Sequence, residues 1–168
     1  MDSKTSDHHK RHPRVEDDYL LRGQGRYMAD APLPGQTFAC FVRSPHASAK
    51  VKSIEAKAAL AIKGVVSVIA PADIKAANVG NLSQHPPVAG RGGSKLIMPF
   101  RPALAGEQVR HIGEAVAMVL GETFAAAQDG AEAVEVDYEP LDAVVDLREA
   151  MKPGAPQVWP EADRKSVV

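Results

Sequence analysis

Apolar residues along this chain gather in short blocks separated by glycine, proline and charge, and each block has the length of one strand or one short helix. The run from Thr37 to Arg43 reads as a strand and stops at Ser44-Pro45, because proline cannot donate to a ladder. A second strand follows from Ala49 to Ile54, with Val51 and Ser53 on one face and Lys50, Lys52 and Ile54 on the other. That alternation is imperfect, yet Val51 and Ile54 are the core candidates. Two strands across so short a turn predict a hairpin. Glu55 to Ile62 is rich in alanine and leucine and ends before Gly64, which predicts a short helix with a C-terminal glycine cap. Val65 to Ile69 is β-branched and predicts a buried strand, and Pro71 can open one helical turn.

The later half carries the stronger pattern. Val109 to Ile112 and Ala115 to Leu120 read as strands. Thr123 is an N-cap candidate for a helix from Phe124 to Ala133, with Phe124, Ala127 and Ala131 on one face and Gly130 as an interruption. Val134 to Tyr138 alternates apolar with acidic residues, as a half-buried strand does. The two strands and the alanine-rich helix between them read as a βαβ-like unit. Ala143 to Val145 is expected to continue the sheet, and Asp146 to cap a last turn running to Met151.

These elements predict an α+β domain of mixed strands with two or three short helices over residues 37–160. An extended arm over 14–36 precedes it, and residues 1–13, which include His8, His9 and His12, read as a disordered tail. Residues 161–168 read as a second tail, cut short. Between 78 and 106 lie Gly80, Pro86, Pro87, Gly90, Gly92, Gly93, Pro99, Pro102 and Gly106, a density that excludes long regular structure. A loop of that length is expected to be functional or to lean on another surface.

Composition narrows the function classes. With 168 residues, 45% hydrophobic and 24% charged, the chain suits one soluble domain. A formal net charge of −1 gives no electrostatic reason to expect nucleic acid or an anionic membrane as partner. No apolar run approaches the roughly 18 residues that span a bilayer, and the polar first segment has no secretory h-region. Cys40 is the only cysteine, so an internal disulfide, an iron–sulfur cluster and a structural zinc are all excluded, and a cytoplasmic setting is expected. Its apolar neighbours Phe38, Ala39, Phe41 and Val42 suit a buried, inert thiol.

Candidate chemistry is sparse. Ser44 and His46 are too close on an extended chain for triad geometry, and no nucleophile elbow is present. Glu114 stands between Gly113 and a strand, where it is either a cleft acid–base group or a carboxylate accepting backbone N–H bonds or pairing with Arg110. His46, His85 and His111 lack metal-ligand spacing. Gly23-Gln24-Gly25 has no preceding strand or third glycine, which excludes a dinucleotide fingerprint.

An ordered set of segments resembles the start of the large subunit of molybdenum hydroxylases, the xanthine dehydrogenase, aldehyde oxidase and aerobic carbon monoxide dehydrogenase family. They include Leu21-Arg22-Gly23-Gln24-Gly25-Arg26-Tyr27, Phe41-Val42-Arg43-Ser44-Pro45-His46-Ala47, Arg101-Pro102-Ala103-Leu104, Val109 to Glu114 and Val136-Asp137-Tyr138-Glu139-Pro140-Leu141. Ala115 departs from the usual proline, and Gly130 from the usual alanine. The resemblance implies an α/β-hammerhead fold and a supporting role for an oxidoreductase. Molybdopterin would be bound by a separate, larger region of the subunit, and FAD and 2Fe–2S centres by partner modules. It implies no cofactor bound by this chain alone and carries over no catalytic residue. Arg43, His46 and Glu114, each at a strand end beside a turn, are the expected interface residues toward the molybdopterin-binding region. The alternatives are a stand-alone binding or interaction module on the same fold, and a truncated product without function.

Overall fold

The computed structural model describes residues 14–80, 82, 92 and 99–160. Both expected tails, and most of the glycine- and proline-rich 78–106 segment, lie outside the described residues. The chain divides into two units, Met1–Gln36 and Thr37–Val168.

In the first unit, helix α1 spans Asp17–Leu21 and buries no residue. Its aspartates face the helix N-terminus, where negative charge is favoured, and Arg22 pairs back to Asp18 at 2.7 Å. A 3₁₀ turn over Met28–Asp30 is closed by Asp30, whose carboxylate accepts the Tyr27 N–H at 3.0 Å.

The second unit holds two three-stranded antiparallel sheets. One has the order β1 (Phe38–Arg43), β5 (Ala115–Gly121), β3 (Val65–Ile69). The other has β4 (Gln108–Val109), β2 (Ala49–Glu55), β6 (Glu135–Pro140). The short helices α2 (Lys57–Leu60), α3 (Pro71–Ala76), α4 (Phe124–Glu132) and α5 (Leu147–Ala150) complete the α+β architecture.

Local signals set the ends of these helices. Thr123 Oγ1 accepts the Ala126 N–H at 3.1 Å, and Asp146 accepts from Arg148 and Glu149, as expected for N-caps. The expected glycine cap of α2 is not formed: the helix ends at Leu60 with Ala61 as its C-cap, and Gly64, at a φ of +90°, instead turns the chain into β3.

Long-range pairing differs from the sequence expectation. β1 and β2 do not form a hairpin: β1 pairs with β5, and β2 pairs with β4 and β6. The Ser44–Ser48 bend carries the chain from one sheet to the other. For the same reason β5, α4 and β6 are not a βαβ unit, since their strands belong to different sheets. Of the expected 109–112 strand only Val109 pairs, in the two-residue strand Gln108–Val109, and 143–145 is not a strand. The uneven alternation of β2 has a physical source, a β-bulge between Val51 and Ser53 that rephases the strand. Val51 and Ile54 therefore both pack on core clusters.

The core is built of small side chains. One cluster contains Ala49, Ala105, Val109 and Val116, and the other Ala59, Val119 and Val134. Val42 and Val136 pack against both. The largest fully buried side chains are valines. α4 packs on β1 and β5 through Ala126, Ala127 and Gly130, whereas Phe124 is 59% exposed. The helix is thus turned so that its smallest residues, and not its aromatic, meet the sheet. Among the described residues no helix is long and apolar enough to cross a membrane.

Candidate functional site: a cationic cleft beside the sheet crossover

The crossover between sheets is fixed by one buried serine. Ser44 is 2% exposed. Its N–H donates to the Glu114 carbonyl at 2.9 Å, and its carbonyl accepts the Gly113 N–H at 2.8 Å. Its hydroxyl accepts the His46 N–H at 3.0 Å, which closes the bend around Pro45. Ser44 is therefore a structural clasp and not a nucleophile.

The 110–114 turn completes the corner. Gly113 adopts a φ of +82°, which lets the chain reverse into β5. Glu114 carries its carboxylate back to the Arg110 N–H, the backbone-accepting role of the two weighed from sequence. Arg43 Nη1 donates to the Gly113 carbonyl at 2.8 Å. Where Val42 and Arg43 meet β5 the register shifts, with Val116 as the extra residue on β5.

Arg43 and Glu114 thus line one cleft of about 500 Å³, together with Arg101, Arg110, His111 and Trp159. His46 does not line it. Its ring lies edge-on to Tyr138 in the other sheet, with centroids 5.0 Å apart.

Sequence reading missed the second half of this cleft. The Arg110 guanidinium lies 4.0 Å from the centroid of the Trp159 ring, a cation–π contact. Its Nε donates to the Val158 carbonyl and its Nη1 to the Gln108 carbonyl, both at 3.2 Å. The only available signal was compositional: Arg101, Arg110 and His111 in one short stretch, and a lone tryptophan near the end.

Nearby charges are ordinary by comparison. Glu139 sits between Lys50, at 3.3 Å, and Lys52. The Lys52 hydrogen bond holds the Glu139 carboxyl below the usual carboxylate range, and the same bond raises Lys52. Both groups face solvent, so the pair contributes little. Among the described residues no three of His, Cys, Asp and Glu converge to hold a metal ion.

Tyr138 is different. Its hydroxyl is buried without a hydrogen-bond partner among the described residues. Burial pushes its pKa up and the nearby Ser44 opposes this, but the Ser44 hydroxyl is committed to His46 and makes no complete bond to it. Tyr138→Phe removes an unsatisfied group and keeps the ring that meets His46. We expect it to raise stability by about 1 kcal/mol in urea unfolding, and a loss of stability would show the hydroxyl to be partnered.

Comparison with known proteins places this geometry. Residues 22–142 match the family described as aldehyde oxidase and xanthine dehydrogenase, a/b hammerhead domain. The chain is 42% identical to the carbon monoxide dehydrogenase large chain of Afipia carboxidovorans over 143 residues, 85% of this chain and 16% of that one. It is 39% identical to the nicotine 6-hydroxylase large subunit of Paenarthrobacter nicotinovorans, over 86% of this chain and 17% of that one. The crystal structure of quinoline 2-oxidoreductase from Pseudomonas putida 86 matches with a TM-score of 0.70 at 36% identity, over 83% of this chain and 17% of that one. The chain therefore spans about a sixth of the length of these relatives. With two thirds of its residues matched in order and the same fold in solved relatives, this chain belongs to the α/β-hammerhead domain family of aldehyde oxidase and xanthine dehydrogenase.

Proposed function

We propose that this chain is the N-terminal supporting domain of the molybdopterin-binding large subunit of a molybdenum hydroxylase, inactive by itself and working in the cytoplasm. The observation that carries this reading is the asymmetry of the matches: most of this chain aligns with a small part of each large subunit. Bound to the complete subunit, the molybdenum cofactor would supply oxidative hydroxylation, or oxidation of a small aldehyde, purine-like or CO-like substrate, with water as the oxygen source. The residues of this chain do not fit as a site for a 2Fe–2S cluster: there is one thiol, half-buried in β1, where a cluster needs several ligands. In this reading molybdopterin belongs to the remainder of the subunit, and FAD and 2Fe–2S to partner modules.

What this chain's residues do in that reading is hold a shape. Ser44, Gly113 and Glu114 fix the sheet crossover, and Arg43 and Glu114 face the neighbouring region from the cleft; His46, whose ring meets Tyr138 outside the cleft, is proposed for the same interface.

The test is co-expression with the molybdopterin-binding region of the subunit. The two polypeptides should co-elute on size exclusion, and only the pair should contain molybdenum and turn over substrate. Turnover by the 168-residue chain alone, or stoichiometric molybdenum bound to it alone, would end this reading.

A further inference from the structure

The arginines of the cleft are held in an unusual way. Four cations elsewhere on the surface pair with carboxylates: Arg22 with Asp18, Lys50 and Lys52 with Glu139, and Lys152 with Glu149. Arg43 and Arg110 have no carboxylate partner among the described residues. Backbone carbonyls and aromatic faces hold them in place. Arg43 donates one N–H to Gly113 and lies 5.6 Å from the Phe41 ring centroid. Arg110 donates to Val158 and Gln108 and lies on Trp159. These contacts fix each guanidinium, and no carboxylate among the described residues neutralises its positive charge.

Glu114, the one carboxylate among the described residues that line the cleft, is committed to the Arg110 backbone N–H. His111 uses Nδ1 on the Ile112 carbonyl at 3.1 Å, which leaves Nε2 for another group. The Nη2 of Arg43 and the Nη2 of Arg110 make no hydrogen bond among the described residues, in a protein that is otherwise slightly acidic.

We infer that the cleft between Arg43 and Arg110 is a receptor for a carboxylate-bearing segment of another polypeptide. A planar guanidinium with free N–H groups matches a carboxylate in a two-pronged fashion. Because both guanidiniums are already oriented, little side-chain freedom is lost when the partner arrives. Protein is favoured over nucleic acid by charge and by stacking. The chain has a net charge of −1, and the one indole in the cleft is already covered by Arg110, so no open platform remains for a base. The inference rests on the reading of this chain as part of a larger assembly, whose remainder would carry the acidic segment.

The probes are a labelled peptide of alternating Asp and Gly, its Asn–Gly counterpart, inorganic phosphate and a thymidine oligonucleotide. Each is titrated into the 168-residue chain and followed by anisotropy or by the emission of Trp159, the only tryptophan. The Asp–Gly peptide should bind at least about tenfold more tightly than the Asn–Gly peptide. Arg43→Gln and Arg110→Gln should each weaken it by about tenfold, while Lys50→Gln, on the other sheet, should change nothing. Circular dichroism separates lost binding from lost folding, and Arg43→Gln alone, on an exposed side chain, keeps the test decisive if Arg110→Gln unfolds.

Equal binding of both peptides, or an equal loss with Lys50→Gln, would overturn the inference. So would tighter binding of phosphate, which indicates a small-anion site, or of the oligonucleotide. Co-elution with the molybdopterin-binding region is a separate measurement, so that reading and this one can fail independently.

Discussion

Replacing Gly121 with alanine should destabilise the Thr37–Val168 unit by about 3 kcal/mol, near the upper end of the cost of overpacking a core. Gly121 ends β5, the central strand of its sheet, and pairs with Phe38 on one side and Val65 on the other. A Cβ at this position would lie 2.6 Å from the Ala127 nitrogen, 2.9 Å from the Thr123 carbonyl oxygen and 3.0 Å from the Ala127 Cα. All three are backbone atoms, so no rotamer change relieves the collision. Either α4 lifts from the sheet, opening the contact made by Ala126 and Ala127, or β5 gives up pairing at its end. Urea unfolding followed by far-ultraviolet circular dichroism checks this. A change within about 0.5 kcal/mol, as for an ordinary surface substitution, would mean that the helix does not sit this close.

The second large effect is a coupling. Val119 is fully buried, and its replacement by alanine removes two carbons from a packed site, which should cost about 2 to 3 kcal/mol. Gly130 faces it from α4. A methyl group added there would lie 2.8 Å from Val119 Cγ1 and 2.8 Å from Val65 Cγ2. Gly130→Ala gains about 1 kcal/mol of helix preference but overpacks the seam, and the net result should be a loss of about 1 kcal/mol. Made together, the two changes should cost less than their sum by at least about 1 kcal/mol, because the alanine at 130 fills part of the space vacated at 119. Strict additivity in a double-mutant cycle would show that the two positions do not touch.

Local features of the fold were readable from the residues that make them. Thr123, Asp146 and Pro71 mark helix ends through groups within a few positions of themselves, so their chemistry is written in adjacent letters. The broken alternation around Lys52 was legible as an irregularity, and the structure identifies it as a bulge. Strand partners were not legible. Phe38–Arg43 and Ala49–Glu55 are neighbours in sequence, which favours a hairpin, but β1 finds in β5 a partner buried along most of its length, and the Ser44 bend directs β2 to another sheet. On α4, Ala127 and Ala131 meet the core as expected, and only Phe124 was misjudged, because an apolar period cannot tell a large residue that packs from small residues that allow closer approach. Of the site, Arg43 and Glu114 stood out by their position beside turns. Arg110 and Trp159 did not, because their contact joins distant segments through a ring face and two carbonyls, which leave no local pattern.

Val42 and Val136, one on β1 and the other on β6, each touch both apolar clusters. Each cluster itself draws on both sheets, Ala49 with Val116 in one and Ile54 with Val119 in the other, so neither layer keeps an interior of its own once they part. The unit is therefore expected to melt as a single cooperative block, with coincident transitions by fluorescence and circular dichroism, and no half-assembled species in which one layer outlives the other.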